Sequence, residues 1–546
     1  MRLKLIYSPE FYSAEDENST REPPKFPLIS LPVIKSYLEK HGFTAHQDDL
    51  DAKVYHDNLH GLDNRRVDMA LFQDKARIAD YITRGSDDEL EQNAEKMLKK
   101  TKTKGYDMVA FSFGHCWKFA SIGAAMVMSK ILKDRDDVLI SAGGGHHDRT
   151  IAGVPFEDVP FVDFFCFLTN HFEFIRLLDC IESRQLSKRE LFPSIVFNEE
   201  KIARHLDLAG YPVLQSRKIP TEYYTDEVIF PVPDFDGLPL ELYRYIPTDV
   251  AENGLSTKKI QILPYYFVFG CPNRCIFCKD SQSDIFLTKD PGAVAEELKM
   301  LSKKHGANHF IFTNTSVNPT KNYAAEFSDQ MIKNDVNVQW FDCAAFNSMD
   351  KSILSKLYVA GARRLLFGLE CASPRMQKYL NKNVNLAQAS ALLKHSHKLN
   401  IWNELEMVCG LPHETQEDRD LSMQFLAENR RQIDYFYLTR FYLTQSLLTS
   451  NPLKYGITKI RETQDDQAEG LAFDEVDGAK WEDKKQQAWL AFRQYEQMRK
   501  QVFNPQFDNT HNHFYRIFYL YSIFDRKRDI RNYIGGCSSN HDECNS

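Results

Sequence analysis

Short apolar runs and amphipathic stretches take turns along residues 1–181. Leu3–Ser8, Phe43–His46, Tyr106–Phe113, Val138–Ala142 and Val162–Leu168 have the length and composition of strands. Between them Val33–Lys40 reads as a helix with Val33, Ile34, Tyr37 and Leu38 on one face, closed by His41-Gly42, and Phe119–Leu132 and Phe172–Ile181 read as two more. Asp51–Lys104 is charged and mostly helical, an insertion. This alternation predicts a doubly wound parallel sheet. Over 182–259 the pattern weakens under Pro193, Pro212, Pro220, Pro231, Pro233, Pro239 and Pro247, which marks a linker or wrap-around segment.

At Ile260 the alternation resumes. Strands are expected at Ile262–Phe269, His309–Thr313, Val338–Phe341, Arg364–Leu369, Ile401–Val408 and Tyr435–Arg440, with helices at Ala293–Lys303, Ala324–Lys333, Lys351–Ala360 and Leu386–Leu399. Such βα units predict a partial or full β/α barrel over 260–447, with ligands at the C-terminal ends of the strands. Residues 448–546 lose the alternation and read as a helical extension around Trp481–Val502 and the aromatic-rich Phe514–Ile523, expected to cap the barrel mouth. The fold class is therefore α/β throughout, with a helical C-terminus.

Composition narrows the classes. With 43% hydrophobic and 26% charged residues among 546, the chain is an ordinary globular one. A net charge of −8 argues against a nucleic-acid partner bound through bulk electrostatics. No apolar run reaches membrane-spanning length, and Met1–Tyr7 reads as a first strand rather than a signal peptide, so the expected location is the cytoplasm. Eleven cysteines over such a length do not form a disulfide framework.

Three of those cysteines carry the chemistry. Gly270-Cys271-Pro272-Asn273-Arg274-Cys275-Ile276-Phe277-Cys278 places Cys271, Cys275 and Cys278 on one loop after the first barrel strand. Structural zinc normally takes four protein ligands, so a zinc loop would need a distant fourth such as Cys343. A cubane iron–sulfur cluster held by three cysteines instead keeps one iron open. Glu404 and Glu406 share one face of Ile401–Val408. Apolar Leu405, Met407 and Cys409 belong under the helices, so the glutamates face the lumen. Glu406 is expected to contact substrate or cofactor there, or to pair with a lumen Arg or Lys.

The Cys-x3-Cys-x2-Cys loop, with Phe277 before its last cysteine, resembles the signature of the radical S-adenosylmethionine (radical SAM) superfamily. Gly368-Leu369-Glu370-Cys371-Ala372-Ser373 is similar to that family's Gly-Ile-Glu-Ser-Gly-Ser segment, and Gly410-Leu411-Pro412-His413-Glu414-Thr415 to its Gly-Leu-Pro-Gly-Glu-Thr turn. Thr313–Asn318 resembles its Asp-Asp-Asn-Phe-Thr-x-Asn stretch without the aspartates. The resemblance implies a [4Fe-4S] cluster on Cys271, Cys275 and Cys278, whose open iron chelates SAM. It implies SAM contacts from Phe277, Asn314, Glu370, Ser373 and Gly410, beside the Glu406 expected from its strand face, and an external flavodoxin- or ferredoxin-like electron donor.

The N-terminal region resembles the cobalamin-binding Rossmann-like domains joined to such barrels. The resemblance rests on Pro27–Pro32 with its following helix, on Ser112 closing one buried strand, and on Gly143-Gly144 closing the next. It implies cobalamin contacts from Ser112, Gly114, His115, Gly143 and Gly144. Their Asp-x-His-x-x-Gly motif is missing; Asp57-Asn58-Leu59-His60-Gly61 is misspaced. Cobalamin is thus expected with its tail base displaced and no histidine on cobalt. The implied division is 1–181 cobalamin domain, 182–259 linker, 260–447 radical SAM barrel and 448–546 helical domain. The implied activity is methylation of an unactivated carbon of a small-molecule or peptide substrate, through a 5′-deoxyadenosyl radical and methylcobalamin. Cyclisation or rearrangement without methyl transfer, and a radical SAM enzyme that has lost cobalamin, stay open beside it.

Overall fold

The computed structural model describes residues 1–10, 25–59, 66–113, 119–136, 138–144, 150–167, 171–183, 195–197, 225–282, 285–444, 446–462, 470–502 and 510–535. The chain forms two compact units, Met1–Arg244 and Tyr245–Ser546.

The first unit is built on a six-stranded sheet. Its strands are β1 (Arg2–Tyr7), β2 (Thr44–Asp49), β3 (Met108–Phe113), β4 (Leu139–Gly144), β5 (Phe164–Phe167) and β6 (Ile195–Phe197). They lie in the order β2-β1-β3-β4-β5-β6, parallel except for β6. The runs MVAFSF and LISAGG are buried at Met108, Val109, Phe111, Phe113, Ile140, Ser141 and Ala142 and half-buried elsewhere, with the apolar content of parallel strands between helix layers. Strand order reverses between β1 and β3, and Ser8 N–H donates to Ser112 O at 2.8 Å there. That is the switch point at which doubly wound sheets open a crevice beyond their strand ends.

The charged insertion folds as helices Leu50–Leu59, Lys75–Arg84 and Asp88–Leu98. Their apolar faces, including Ile78, Tyr81, Leu90 and Met97, join one core with the helix Phe119–Asp136. Part of the segment read as a linker belongs to this unit. Gln47 Nε2 donates to the carbonyls of Asp234 and Asp236 at 2.6 and 3.0 Å, and Tyr243 hydrogen-bonds Asp49, so residues 234–243 line the β2 edge.

The second unit holds β7 (Ile262–Tyr265), β8 (His309–Phe312), β9 (Gln339–Ala344), β10 (Ala362–Glu370), β11 (Trp402–Cys409) and β12 (Tyr435–Arg440). All pair in parallel and in chain order, and among the described residues β7 and β12 do not pair with each other: this is a partial barrel. Helices return the chain between strands with local end signals. Pro291–His305 starts on Asp290, whose carboxylate accepts Ala293 N–H at 2.8 Å, and stops at Gly306 with φ +63°. The outer face of β10 and β11, with Leu365, Phe367, Leu405, Met407 and Cys409, is fully buried.

Three expectations need correction here. The strand expected over 262–269 ends at Tyr265; Val268–Phe269 instead pairs antiparallel with Leu287–Thr288, because Asn314 turns the chain at Phe267. The C-terminal region also holds a two-stranded hairpin, Ile457–Glu462 with Leu471–Glu475. Finally, its aromatic helix Thr510–Leu520 does not cap the mouth. Phe518 packs on His309 and Phe341 at ring distances of 5.0 and 5.7 Å, and Tyr519 Oη donates to Lys258 O. These partners lie at the strand starts, so the helix closes the foot of the barrel, opposite the strand ends. Apolar rings are held where the lumen needs filling rather than where a ligand must enter.

Candidate functional site

Gly270 opens the cysteine loop with φ +74°, and Thr315 Oγ1 donates to its carbonyl at 2.7 Å. Ile276 pins the loop's middle: its N–H donates to Leu380 O and its carbonyl accepts Leu448 N–H, both at 3.1 Å. Half-buried Phe277 packs on the same apolar cluster. Cys275 is buried, while Cys271 and Cys278 are partly accessible. Burial pushes the Cys275 thiol up to about 11; Lys382 opposes the shift, and Cys278, Glu370 and Cys271 add to it. A buried Cys275 thiol whose ionisation the two neighbouring thiols oppose suits a cationic iron centre that takes it as the thiolate.

Glu370 ends β10 with φ +65°, where the register with β11 slips between Gly368 and Glu370. It is buried and receives Lys382 Nζ at 2.7 Å. A Cβ at position 368 would lie 2.6 Å from that Nζ and 2.8 Å from Glu370 Oε1, so the glycine leaves room for the pair. Burial would lower the Lys382 ammonium, but Glu370, Cys275 and Cys278 hold it above its usual value. Glu406 is next in the lumen. Burial, then repulsion from Glu370, pushes its carboxyl up to about 7, and Thr439 Oγ1 donates to it at 3.0 Å. Glu404, deeper in the lumen, is fully buried and paired with Arg364, whose guanidinium also donates to Tyr437 Oη at 2.9 Å. A lumen arginine pairing of the kind weighed for Glu406 is thus made by Glu404. Cys343 faces the same lumen, with Glu406, Arg364 and Glu370 around it, and burial pushes its thiol up to about 12.

Other expected contact residues have their polar atoms committed. Asn314 Oδ1 accepts the N–H groups of Phe267 and Val268 at 2.8 and 2.9 Å, and its Nδ2 donates to Asp342 at 2.7 Å, so it braces the chain entering the cysteine loop. Ser373 caps Pro374–Tyr379 and donates to Asp418 at 2.5 Å. Gly410, with φ +79°, donates its N–H to Glu414 at 2.8 Å and abuts Ala488 of the helix Trp481–Val502. His413 stands at φ +59° where the resembled turn has glycine, which is the conformation glycine takes freely. In the first unit Ser112, Gly143 and Gly144 lie at the ends of β3 and β4. A Cβ on Gly143 would strike Cys166 O and one on Gly144 would strike Phe113 O, so strand packing alone already asks for both glycines. Gly114 and His115 lie outside the described residues, as do His146, His147 and Cys537.

Lys382, Ile276 and Arg364 were not singled out by sequence. Each acts through partners distant in the chain, and Lys382 in an Asn-Lys-Asn turn carries no pattern.

The family profile of the Radical SAM superfamily matches residues 265–426. An "Uncharacterized methyltransferase PH0819" of Pyrococcus horikoshii is 22% identical over 322 residues, 58% of this chain and 63% of that protein. The "Anaerobic magnesium-protoporphyrin IX monomethyl ester cyclase" of Rubrivivax gelatinosus is 27% identical over 188 residues, 34% of this chain and 32% of that one. The chain thus spans less than two thirds of either curated relative. Among solved structures, the radical SAM methyltransferase TsrM from Kitasatospora setae, with cobalamin and a [4Fe-4S] cluster bound, superposes with a TM-score of 0.53 at 14% identity, over 86% of this chain and 81% of that one. The cobalamin-dependent radical enzyme OxsB, with aqua-cobalamin and SAM bound, gives 0.51 at 13% identity, over 78% and 52%. Among the described residues no helix is long and apolar enough to cross a membrane. From residue 265 to 426 this chain is a radical SAM domain, which follows a doubly wound α/β unit in the sequence.

Proposed function

We propose that this protein is a cobalamin-dependent radical SAM methyltransferase acting on an unactivated carbon of a small-molecule or peptide substrate in the cytoplasm. The observation that carries the reading is the three-cysteine loop on the C-terminal side of a sequential parallel sheet, in a chain that also holds a doubly wound sheet of reversing strand order. Bound here, the cluster with SAM supplies a 5′-deoxyadenosyl radical, cobalamin supplies a transferable methyl group, and a flavodoxin- or ferredoxin-like protein supplies electrons.

The chain's own residues hold and align these groups. Cys271, Cys275 and Cys278 ligate the cluster, with Ile276 fixing the loop between them. Glu370 and Glu406 present carboxylates toward the SAM amino group or substrate, with Lys382 balancing their charge beside the cysteines. Phe277 gives the site an apolar wall. Asn314, Ser373 and Gly410 shape it through backbone bracing rather than free polar atoms. Ser112, Gly143 and Gly144, at the ends of β3 and β4, would hold the cobalamin tail, and the resemblance assigns Gly114 and His115 to the same group. With the Asp-x-His-x-x-Gly motif missing, no residue of this chain is assigned as a nitrogen ligand to a bound cobalamin.

The test is to load the anaerobic protein with hydroxocobalamin, pass it through gel filtration, reduce the bound Co(III) by one electron with titanium(III) citrate, and record the Co(II) electron paramagnetic resonance spectrum. One cobalamin per chain without axial nitrogen splitting is expected; no retained cobalamin, or a clear nitrogen triplet, overturns that part of the reading. The likeness to the Rubrivivax cyclase favours a second reading, radical cyclisation or rearrangement without methyl transfer. Product mass decides: a gain of one methylene unit marks methylation.

A further inference from the structure

His413 has both ring nitrogens facing acceptors. Nε2 lies 3.2 Å from Tyr455 O, a carbonyl that also takes the Tyr379 hydroxyl at 2.8 Å. Nδ1 lies 3.3 Å from Glu475 Oε2 and 3.6 Å from Asp477 Oδ2. A neutral imidazole that donates from Nε2 to a carbonyl turns a lone pair toward those two carboxylates. Such a set is completed by a metal cation between its members or by a second proton on the ring. A carbonyl on the far nitrogen is the usual device that fixes the tautomer of a metal-binding histidine.

The spacing agrees. The three ligand atoms all lie within 4.8 Å of one another. Bonds of about 2.0–2.1 Å in a tetrahedron give ligand–ligand edges of about 3.3–3.4 Å, close to the two edges measured here. The surroundings hold the ligands in place. Glu475 Oε1 is engaged by the His413 N–H at 2.8 Å and by Lys484 Nζ at 3.0 Å, which leaves Oε2 turned to the ring. Gly456 makes room for the imidazole, since a Cβ there would strike Nε2. Asp477 is largely exposed and opens the site to solvent.

We propose that His413 Nδ1, Glu475 and Asp477 bind a zinc ion, with water as fourth ligand, and so clamp the turn after β11 to the end of the C-terminal hairpin. Nitrogen and carboxylate donors suit zinc better than the softer thiophilic ions. The competing arrangement is a histidine held as an imidazolium between two carboxylates, with no metal.

The test uses cluster-loaded protein, so that the cysteine loop is occupied, dialysed against zinc and desalted. One zinc per chain is expected, with an X-ray absorption shell of nitrogen and oxygen at about 2.0 Å and no sulfur at about 2.3 Å. His413→Gln should abolish retention. Asp477→Asn, at an exposed position that cannot unfold the chain, should weaken zinc affinity roughly tenfold or more. No zinc retained by the unmodified protein, sulfur in its shell, or the same affinity in both variants would each overturn the proposal and favour the imidazolium.

Discussion

Lys382 Nζ sits 2.7 Å from Glu370 Oε1, in the space left by the missing side chain of Gly368, with the sulfurs of Cys275 and Cys278 as further neighbours. One buried ammonium therefore serves both the carboxylate at the end of β10 and the thiols of the cysteine loop. Net charge near a cluster is one of the protein's levers on its potential. Lys382→Met removes a positive charge, so the cluster should become harder to reduce and SAM cleavage should slow, with iron content retained. A redox titration followed by electron paramagnetic resonance reads this directly; an unchanged potential would show that the lysine serves Glu370 alone.

Glu406 faces the lumen beside that pair, and Thr439 Oγ1 donates to its carboxylate. Glu406→Gln keeps volume and removes charge. Weaker SAM or substrate binding is expected with the cluster intact, measured as KM values against unchanged iron content. Unaltered SAM cleavage, affinity and turnover would remove Glu406 from the binding set.

Asp418 joins the turn after β11 to the end of β10. Burial alone would raise its carboxyl, but Arg375, Ser373 and Thr415 outweigh that and hold it at about 2. A carboxyl depressed in the folded state stabilises the fold above its unfolded value of about 3.9 and loses that effect as pH falls toward the folded value. Asp418→Asn should therefore cost about 1–3 kcal/mol at neutral pH. In urea melts the gap to the unmodified protein should narrow between about pH 4 and pH 2.5; a constant gap would contradict the assignment.

Much of this architecture is legible in the chain because the signals are local. The run His309–Phe312 stands alone as a buried strand, and Cys271, Cys275 and Cys278 declare a three-ligand loop by spacing. What was not legible depends on distance. Asn314 reads as a ligand contact by its motif, yet its amide is spent on Phe267, Val268 and Asp342, the last 28 residues away. Arg364 finds Glu404 across 40 positions. Phe518 carries the same aromatic signal whether it lines a mouth or fills a foot, and only its packing on His309 and Phe341 decides. His413 looked like a departure from a turn pattern; its left-handed backbone shows that the turn kept its shape and used the side chain elsewhere.

Cys271, Cys275 and Cys278 are expected to hold a [4Fe-4S] cluster that cleaves SAM. The most direct measurement quantifies iron and 5′-deoxyadenosine after anaerobic reconstitution and addition of SAM with dithionite, in the unmodified protein and in the variant with all three cysteines changed to Ala. One cluster per chain and steady 5′-deoxyadenosine formation are expected in the first, with neither in the second. Full iron content in the triple variant, or no 5′-deoxyadenosine from the loaded unmodified protein, would contradict the account.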